Sequence, residues 1–294
     1  MSPHKKIGLF LFLTFSLSLL SYIPIVSSGT LSTNGGLFVL TLMWSPGIAG
    51  MLTQLFATRS LRGMGWRFGS ARWLAIAYIL PVAYALPVYT VTWLTGLGAF
   101  INPWSVSSVV RQFSSPNLAT ALPIFLLYQG TIGMAENVIS GLGEEIGWRG
   151  LFVPELAKIT SFAKTALISG IVWAAWHMPG IFLADYNSGG TPAVYSAACF
   201  AVLIIAISFP FAWLTLKSGS LWPAVLLHAS HNLFIQAVFD GLTRNGSITP
   251  YITGEFGVGL AITSLVVAYV FWHMQRNVAL RSQPAQPQPI VQLG

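Results

Sequence analysis

Glu144 and Glu145 stand side by side between GLG and IGWRG, and Arg149 follows four residues after the second glutamate. A single carboxylate at the centre of a membrane helix costs on the order of 2.5–3.5 kcal/mol on insertion scales. Two in succession therefore need partners or a chemical task. Helical spacing separates their roles. Glu145 and Arg149 are i,i+4 and share a face within salt-bridge reach. Glu144 lies about 140° around the helix from Arg149 and shares its face with Trp148 instead. Glu145 is thus the structural partner of Arg149. Glu144, turned from the guanidinium towards an indole, is the candidate general base.

Histidine supplies the rest of the candidate chemistry. His177 closes the run IVWAAWHMPG, one turn beyond Trp173 and just before Pro179, a helix breaker. His228 and Asn232 are i,i+4 in LWPAVLLHASHNLF and project side by side. His231 is displaced about 60° to the other side and is expected to be a hydrogen-bonded packing residue outside the reacting set. His4 and His273 lie near the ends of their helices, where interfacial roles are expected. Glu155, Asp185, Asp240 and Glu255 fall at helix ends or connections and are expected to be solvated, and Glu136 to have a packing or solvated role. Glu144, His177 and His228 could together form a catalytic zinc set with one open position. No HExxH is present, however, and the amide of Asn232 is a poor zinc ligand.

These residues need helices in a bilayer to hold them. Of 294 residues, 54% are hydrophobic and only 7% charged, and the mean hydropathy is +0.71. Soluble domains carry about 25% charged residues, so an ordinary cytosolic enzyme is excluded, as are disordered and fibrous classes. The net charge of +7 is scattered among apolar blocks and does not form a nucleic-acid footprint. Cys199 sits alone in an apolar run, which leaves no disulfide framework. Apolar runs near 20 residues predict an all-α polytopic membrane protein. Eight spans are expected, at roughly 7–28, 37–57, 73–96, 118–140, 162–184, 194–216, 221–240 and 254–275. The first exceeds a signal-peptide apolar core and reads as a retained helix. Twelve basic residues fall on one side of these spans and two, Arg111 and Arg244, on the other, which puts both termini in the cytoplasm. Residues 1–281 read as a single membrane-embedded domain, and the Pro- and Gln-rich stretch 282–294 as a disordered tail. Region 118–156 is too long for one straight span and rich in glycine. It must bend or re-enter if Glu144 is to meet His177.

The three polar clusters, in order, resemble the CAAX-protease and bacteriocin-processing family of intramembrane endopeptidases. Its EExxxR, aromatic-xxx-His and HxxxN motifs correspond to Glu144-Glu145-Ile-Gly-Trp-Arg149, Trp173-Ala-Ala-Trp-His177 and His228-Ala-Ser-His-Asn232. The resemblance covers about residues 135–240, and Trp173 stands where the family usually has Phe. It implies hydrolysis of a membrane-associated protein or peptide at the plasma membrane, with bacteriocin maturation, leader-peptide removal or cleavage of a membrane regulator as compatible tasks. By position, Glu144 would activate water with help from His177, and His228 and Asn232 would stabilise the oxyanion. Glu145, Arg149, Trp148 and Trp173 would be structural support. The family leans towards a mechanism without a required metal. The competing class is a non-catalytic immunity or scaffold protein, or a small transporter. Transporters tend to show repeats and polar residues in both halves, whereas the polar cluster here is confined to 136–232. Convergence of Glu144, His177, His228 and Asn232 on one cavity separates the two classes.

Overall fold

The computed structural model describes residues 1–110, 118–187 and 189–281. The tail expected to be disordered from Ser282 onward lies outside the described residues, as does Arg111. The chain is an all-α polytopic membrane protein. Its helices are α1 (Pro3–Ser28), α2 (Leu37–Thr58), α3 (Ala71–Leu94), α4 (Pro103–Val110), α5 (Leu118–Tyr128), α6 (Met134–Gly147) and α7 (Val153–Ala157). They continue with α8 (Phe162–Leu183), α9 (Ala193–Ser218), α10 (Trp222–His231), α11 (Asp240–Leu242), α12 (Thr249–Ile252) and α13 (Val258–Arg281). The strands β1 (Gly98–Phe100) and β2 (Thr243–Asn245) pair antiparallel, Gly98 opposite Asn245, and join the end of α3 to the segment after α11.

Among the described residues six helices are long and apolar enough to cross a membrane: α1, α2 with its preceding turn, α3, α8, α9 and α13 as far as Gln275. The other two expected spans are helical but assembled from shorter pieces. Region 118–156 runs as α5, a π turn at Gln129–Gly133, α6, a second π turn at Trp148–Phe152, and α7. Region 221–240 runs as α10 and a π turn over Asn232–Phe239 into α11. A π turn adds a residue to the helical turn and re-aims the side chains after it, and such turns occur frequently at functional sites. Two of the three begin on residues singled out in the sequence: Trp148, three positions past Glu145, and Asn232.

Pro179, expected to break its helix, lies inside α8, which continues to Leu183. Pro24, Pro46, Pro81, Pro87 and Pro210 are likewise internal to their helices. In an apolar environment the helix is the only economical way to satisfy the remaining backbone groups, so a proline perturbs it without ending it.

The protein core centres on α9, whose apolar window is 78% buried, against 22% for α13. The helix carrying the glutamate pair is fixed by a glycine seam. Gly47 and Gly50 of α2 face Gly143 and Gly147 of α6 at backbone distance. A Cβ on Gly143 would stand 2.8 Å from the Trp44 ring, and one on Gly147 would overlap the Pro46 carbonyl. Small residues four apart allow this approach, which in lipid is driven by van der Waals packing. Just past the seam the Trp148 indole is wholly buried, with Phe10 of α1 edge-on at 5.4 Å.

Candidate active site

Glu144 and Glu145 diverge as the helical angles require. Glu145 is fully buried and accepts from Arg149 Nη1 at both oxygens, at 2.8 and 3.0 Å. The Arg149 guanidinium packs against the rings of Trp173 and Phe211, which meet edge-on, with its central carbon 4.3 and 4.0 Å from their centroids. Stacking of this kind suits the weakly hydrated planar cation. Glu145 has a second partner that the spacing did not reveal: His228 Nδ1 donates to its Oε1 at 2.9 Å. The glutamate thus joins α6 to α10. Gly141 allows the approach, since a Cβ there would lie 3.2 Å from the His228 ring.

Glu144 is 1% exposed and accepts from two indoles at Oε2, Trp173 Nε1 at 2.7 Å and Trp148 Nε1 at 3.3 Å. The tryptophan at the start of the second motif is therefore more than aromatic packing. Unlike phenylalanine at that position, it donates a hydrogen bond to the candidate base. The two indole bonds hold one carboxylate oxygen and leave Oε1 for other partners.

His177 is half-buried in α8 and donates from Nδ1 to the Trp173 carbonyl at 2.8 Å. That bond places the proton on Nδ1 and leaves Nε2 as an acceptor in the neutral ring. His228 is oriented in the same way by Glu145, which leaves its own Nε2 open. The Asn232 side chain, one turn beyond His228, has no hydrogen-bond partner among the described residues. Glu144, His177, His228 and Asn232 all line one cavity of about 280 Å³. The three helices expected to converge do so, through the α2–α6 seam and the π turns.

The same cavity holds a constellation that the sequence reading missed. Glu255, expected to be solvated, is 5% exposed and lines the cavity. It accepts from His231 Nε2 at 2.8 Å, Tyr186 Oη at 3.0 Å and Gln236 Nε2 at 3.0 Å. His231, expected outside the site, also lines the cavity, with Nδ1 bonded to the Tyr84 hydroxyl. Asp240 is not free in solvent either, since the Tyr89 hydroxyl donates to it at 2.5 Å. The common cause is a buried turn before α13. Sequence carries no periodic signal for such a turn, and the partners lie on three other elements.

Outside the membrane spans, Glu155 is buried, against expectation, and bridges Lys6 at 2.9 Å and Lys158 at 2.8 Å. Burial pushes its carboxyl up, but the hydrogen bonds from Lys158 and Lys6 outweigh this and hold it below the ordinary glutamate value. Asp185 is exposed, as expected. Partial burial acts upward there too, but bonds from the Leu31 amide and the Thr30 hydroxyl, both 2.7 Å, keep its carboxyl low. Glu136, His4 and His273 are exposed.

No three His, Cys, Asp or Glu side chains among the described residues stand close enough to share a metal ion. The zinc set Glu144, His177 and His228 is not assembled as a coordination sphere. Each member has a partner on one atom (two indoles on Glu144 Oε2, a backbone carbonyl on His177 Nδ1 and a carboxylate on His228 Nδ1), and the remaining donor atoms face the cavity separately.

Comparison with known proteins points the same way as the motifs. Residues 124–234 match the family model described as type II CAAX prenyl endopeptidase Rce1-like. Over 133 residues the chain is 29% identical to CAAX prenyl protease 2 of Methanococcus maripaludis, which takes in 43% of this chain. The match spans 45% of that relative's length.

Proposed function

We propose, on the premise that the chain is a member of the CAAX-protease family through residues 124–234, that it is an intramembrane endopeptidase. The observation that carries this reading is the lining of one cavity by Glu144, His177, His228 and Asn232, contributed by three separate helices. Glu144 takes a proton from water while His177 Nε2 holds the same water as acceptor, and the hydroxide so formed attacks the scissile carbonyl. Charge then develops on the carbonyl oxygen. Asn232 Nδ2 and the protonated Nε2 of His228 donate to it, and the Glu145 carboxylate on Nδ1 supports the imidazolium. The proton held by Glu144 passes to the leaving nitrogen as the C–N bond breaks. Preorganised donors at the oxyanion are worth the most in a water-poor site, and rings from Trp173, Phe211 and Trp176 supply that surround.

The substrate class is a membrane-associated protein or peptide, and the reaction needs no metal. The asymmetry of basic residues between alternate connections supports both termini in the cytoplasm, and the reading places the protein in the plasma membrane. The test is comparative proteomics of membranes containing wild type or Glu144→Gln, with purified protein assayed before and after prolonged chelation. Accumulation of an uncleaved membrane protein only in the variant, with activity retained under chelator, is the expected result. Identical membrane proteomes would remove the protease reading. Loss of activity under chelator, restored by zinc, would replace the glutamate mechanism with a metal-dependent one.

A further inference from the structure

The mechanism above leaves unused one buried carboxylate that lines the cavity. Glu255 sits in the turn between α12 and α13 and borders the same cavity as Glu144. A packing role would not require an ionisable group at 5% exposure, and all three of its bonds come from side chains on other segments. One donor is the Tyr186 hydroxyl. The Tyr186 ring in turn lies against the His177 imidazole, with 29° between planes and centroids 5.9 Å apart. Trp176 and Phe200 meet the imidazole edge-on at 4.8 and 5.0 Å. His177 is thus held by one hydrogen bond at Nδ1 and by packing against these rings; Trp176 is tied at its indole N–H to Ser18, and Tyr186 at its hydroxyl to the ionisable Glu255 in the cavity wall.

The turn that carries Glu255 is itself anchored. Gly254 adopts φ +72°, a left-handed conformation that favours glycine. Its N–H donates to the Tyr89 hydroxyl at 3.0 Å, which donates onward to Asp240. His231 and Gln236 hold the carboxylate from the α10 side. A chain of contacts therefore runs from Asp240 through the Gly254 turn to Glu255, then to Tyr186, and ends on His177.

Resting on the protease reading, we infer that Glu255 is a positioning residue for His177, acting through Tyr186. By fixing the tyrosine hydroxyl it fixes the ring plane, and the ring holds the imidazole with Nδ1 on the Trp173 carbonyl and Nε2 free for water. Loss of either end of the Glu255–Tyr186 bond frees the imidazole to turn.

Two full-length variants test this in lipid nanodiscs. Tyr186→Phe keeps the ring and removes the hydroxyl, and Glu255→Gln keeps the size and removes the charge. The first readout does not depend on cleavage. In protein labelled with nitrogen-15 at histidine, His177 is assigned from the signals lost in His177→Gln. Wild type is expected to show a single Nδ1–H tautomer, and both variants a mixture. A single unchanged tautomer in both variants overturns the inference. The second readout is kinetic, on a substrate identified from the membrane proteome. Each variant should lower kcat by about 10- to 100-fold, the scale for a slightly misplaced reacting group, with KM within about twofold. The double variant should be no slower than the slower single one, because both act through one contact. Additive losses, or a raised KM at unchanged kcat, overturn it. Glu144→Gln run in parallel keeps the two readings apart. Full activity there removes the protease mechanism while the tautomer measurement still decides the role of Glu255.

Discussion

Glu145 and His228 meet at 2.9 Å beside a guanidinium, whereas Glu255 and His231 meet at 2.8 Å among tyrosine hydroxyls and an amide. Both pairs are buried; His228, His231 and Glu255 line the cavity while Glu145 lies behind His228, and the charges of the two pairs are balanced differently. Glu145 has a permanent cation one helical turn away, itself 1% exposed and with Nε and Nη2 lacking hydrogen-bond partners among the described residues. The Glu255 pair contains no arginine or lysine, and its basic member is an imidazole. A buried ion pair with a fixed cation is unforgiving, because removing the anion strands a charge that cannot neutralise. A pair whose cation is an imidazole can shed the charge instead. The first arrangement suits a rigid frame for the His228 side of the cavity. The second suits an adjustable brace.

That contrast is open to direct measurement. The largest effect is expected from Glu145→Gln, which leaves Arg149 without its counter-ion. Unfolding in detergent should show a loss of about 3–5 kcal/mol, while Glu144→Gln, whose carboxylate has only indole donors, stays close to wild type. Equal losses in the two variants would mean that Arg149 draws on both carboxylates and that the division between them is wrong. Glu255→Gln should be milder, about 1–3 kcal/mol, the range for a disturbed buried hydrogen bond, because His231 can become neutral. A loss as large as that of Glu145→Gln would show a stranded charge there too and erase the contrast.

The smallest effect sharpens the comparison from outside the membrane. Glu155 lies between Lys6 and Lys158, and its carboxyl is held below the ordinary value. A depressed carboxyl adds stability that is fully present above the unfolded-state value of 4.5 and is lost as pH falls through the folded-state value. Glu155→Gln should therefore cost at most about 1 kcal/mol near pH 7, measured by thermal unfolding, and the difference should vanish in acid. A difference that persisted unchanged below pH 3 would assign the residue a packing role in place of a charged one.

Much of the candidate cluster was legible in the residues because it is written in helical arithmetic. The i,i+4 spacing of Glu145 with Arg149 predicted a bond that the structure has at 2.8 Å. The same arithmetic put Trp148 on the face of Glu144, where its indole donates. His228 and Asn232, also i,i+4, share a cavity wall. The spacing could not show that Glu145 also orients His228, or that Trp173 donates to Glu144, because those bonds join different helices. The break in region 118–156 was legible from its length and its glycines, whereas the one in 221–240 was not. Apolar run length at 118–140 and 221–240 does not register a π turn, which changes the hydrogen-bonding step without changing composition. Proline misled in the opposite direction at Pro179, since its breaking tendency in water does not carry over to a packed apolar setting.

Composition alone decided that this chain is a helical membrane protein, because 7% charged residues cannot cover a water-facing surface and only internally bonded helices suit such apolar runs. Local spacing decided which glutamate pairs with Arg149, because positions within one helix are related by a fixed rotation. The tertiary structure alone decided that Glu255, His231 and Tyr186 belong to the cavity. Their approach depends on the buried Gly254 turn and on contacts between segments 24 to 69 residues apart, and no rule of sequence period relates positions across a turn. It also decided how near α6 could come to α2 and α10. That distance is set by what a Cβ would strike at Gly143, Gly147 and Gly141, and a glycine in a sequence does not say which neighbour it admits.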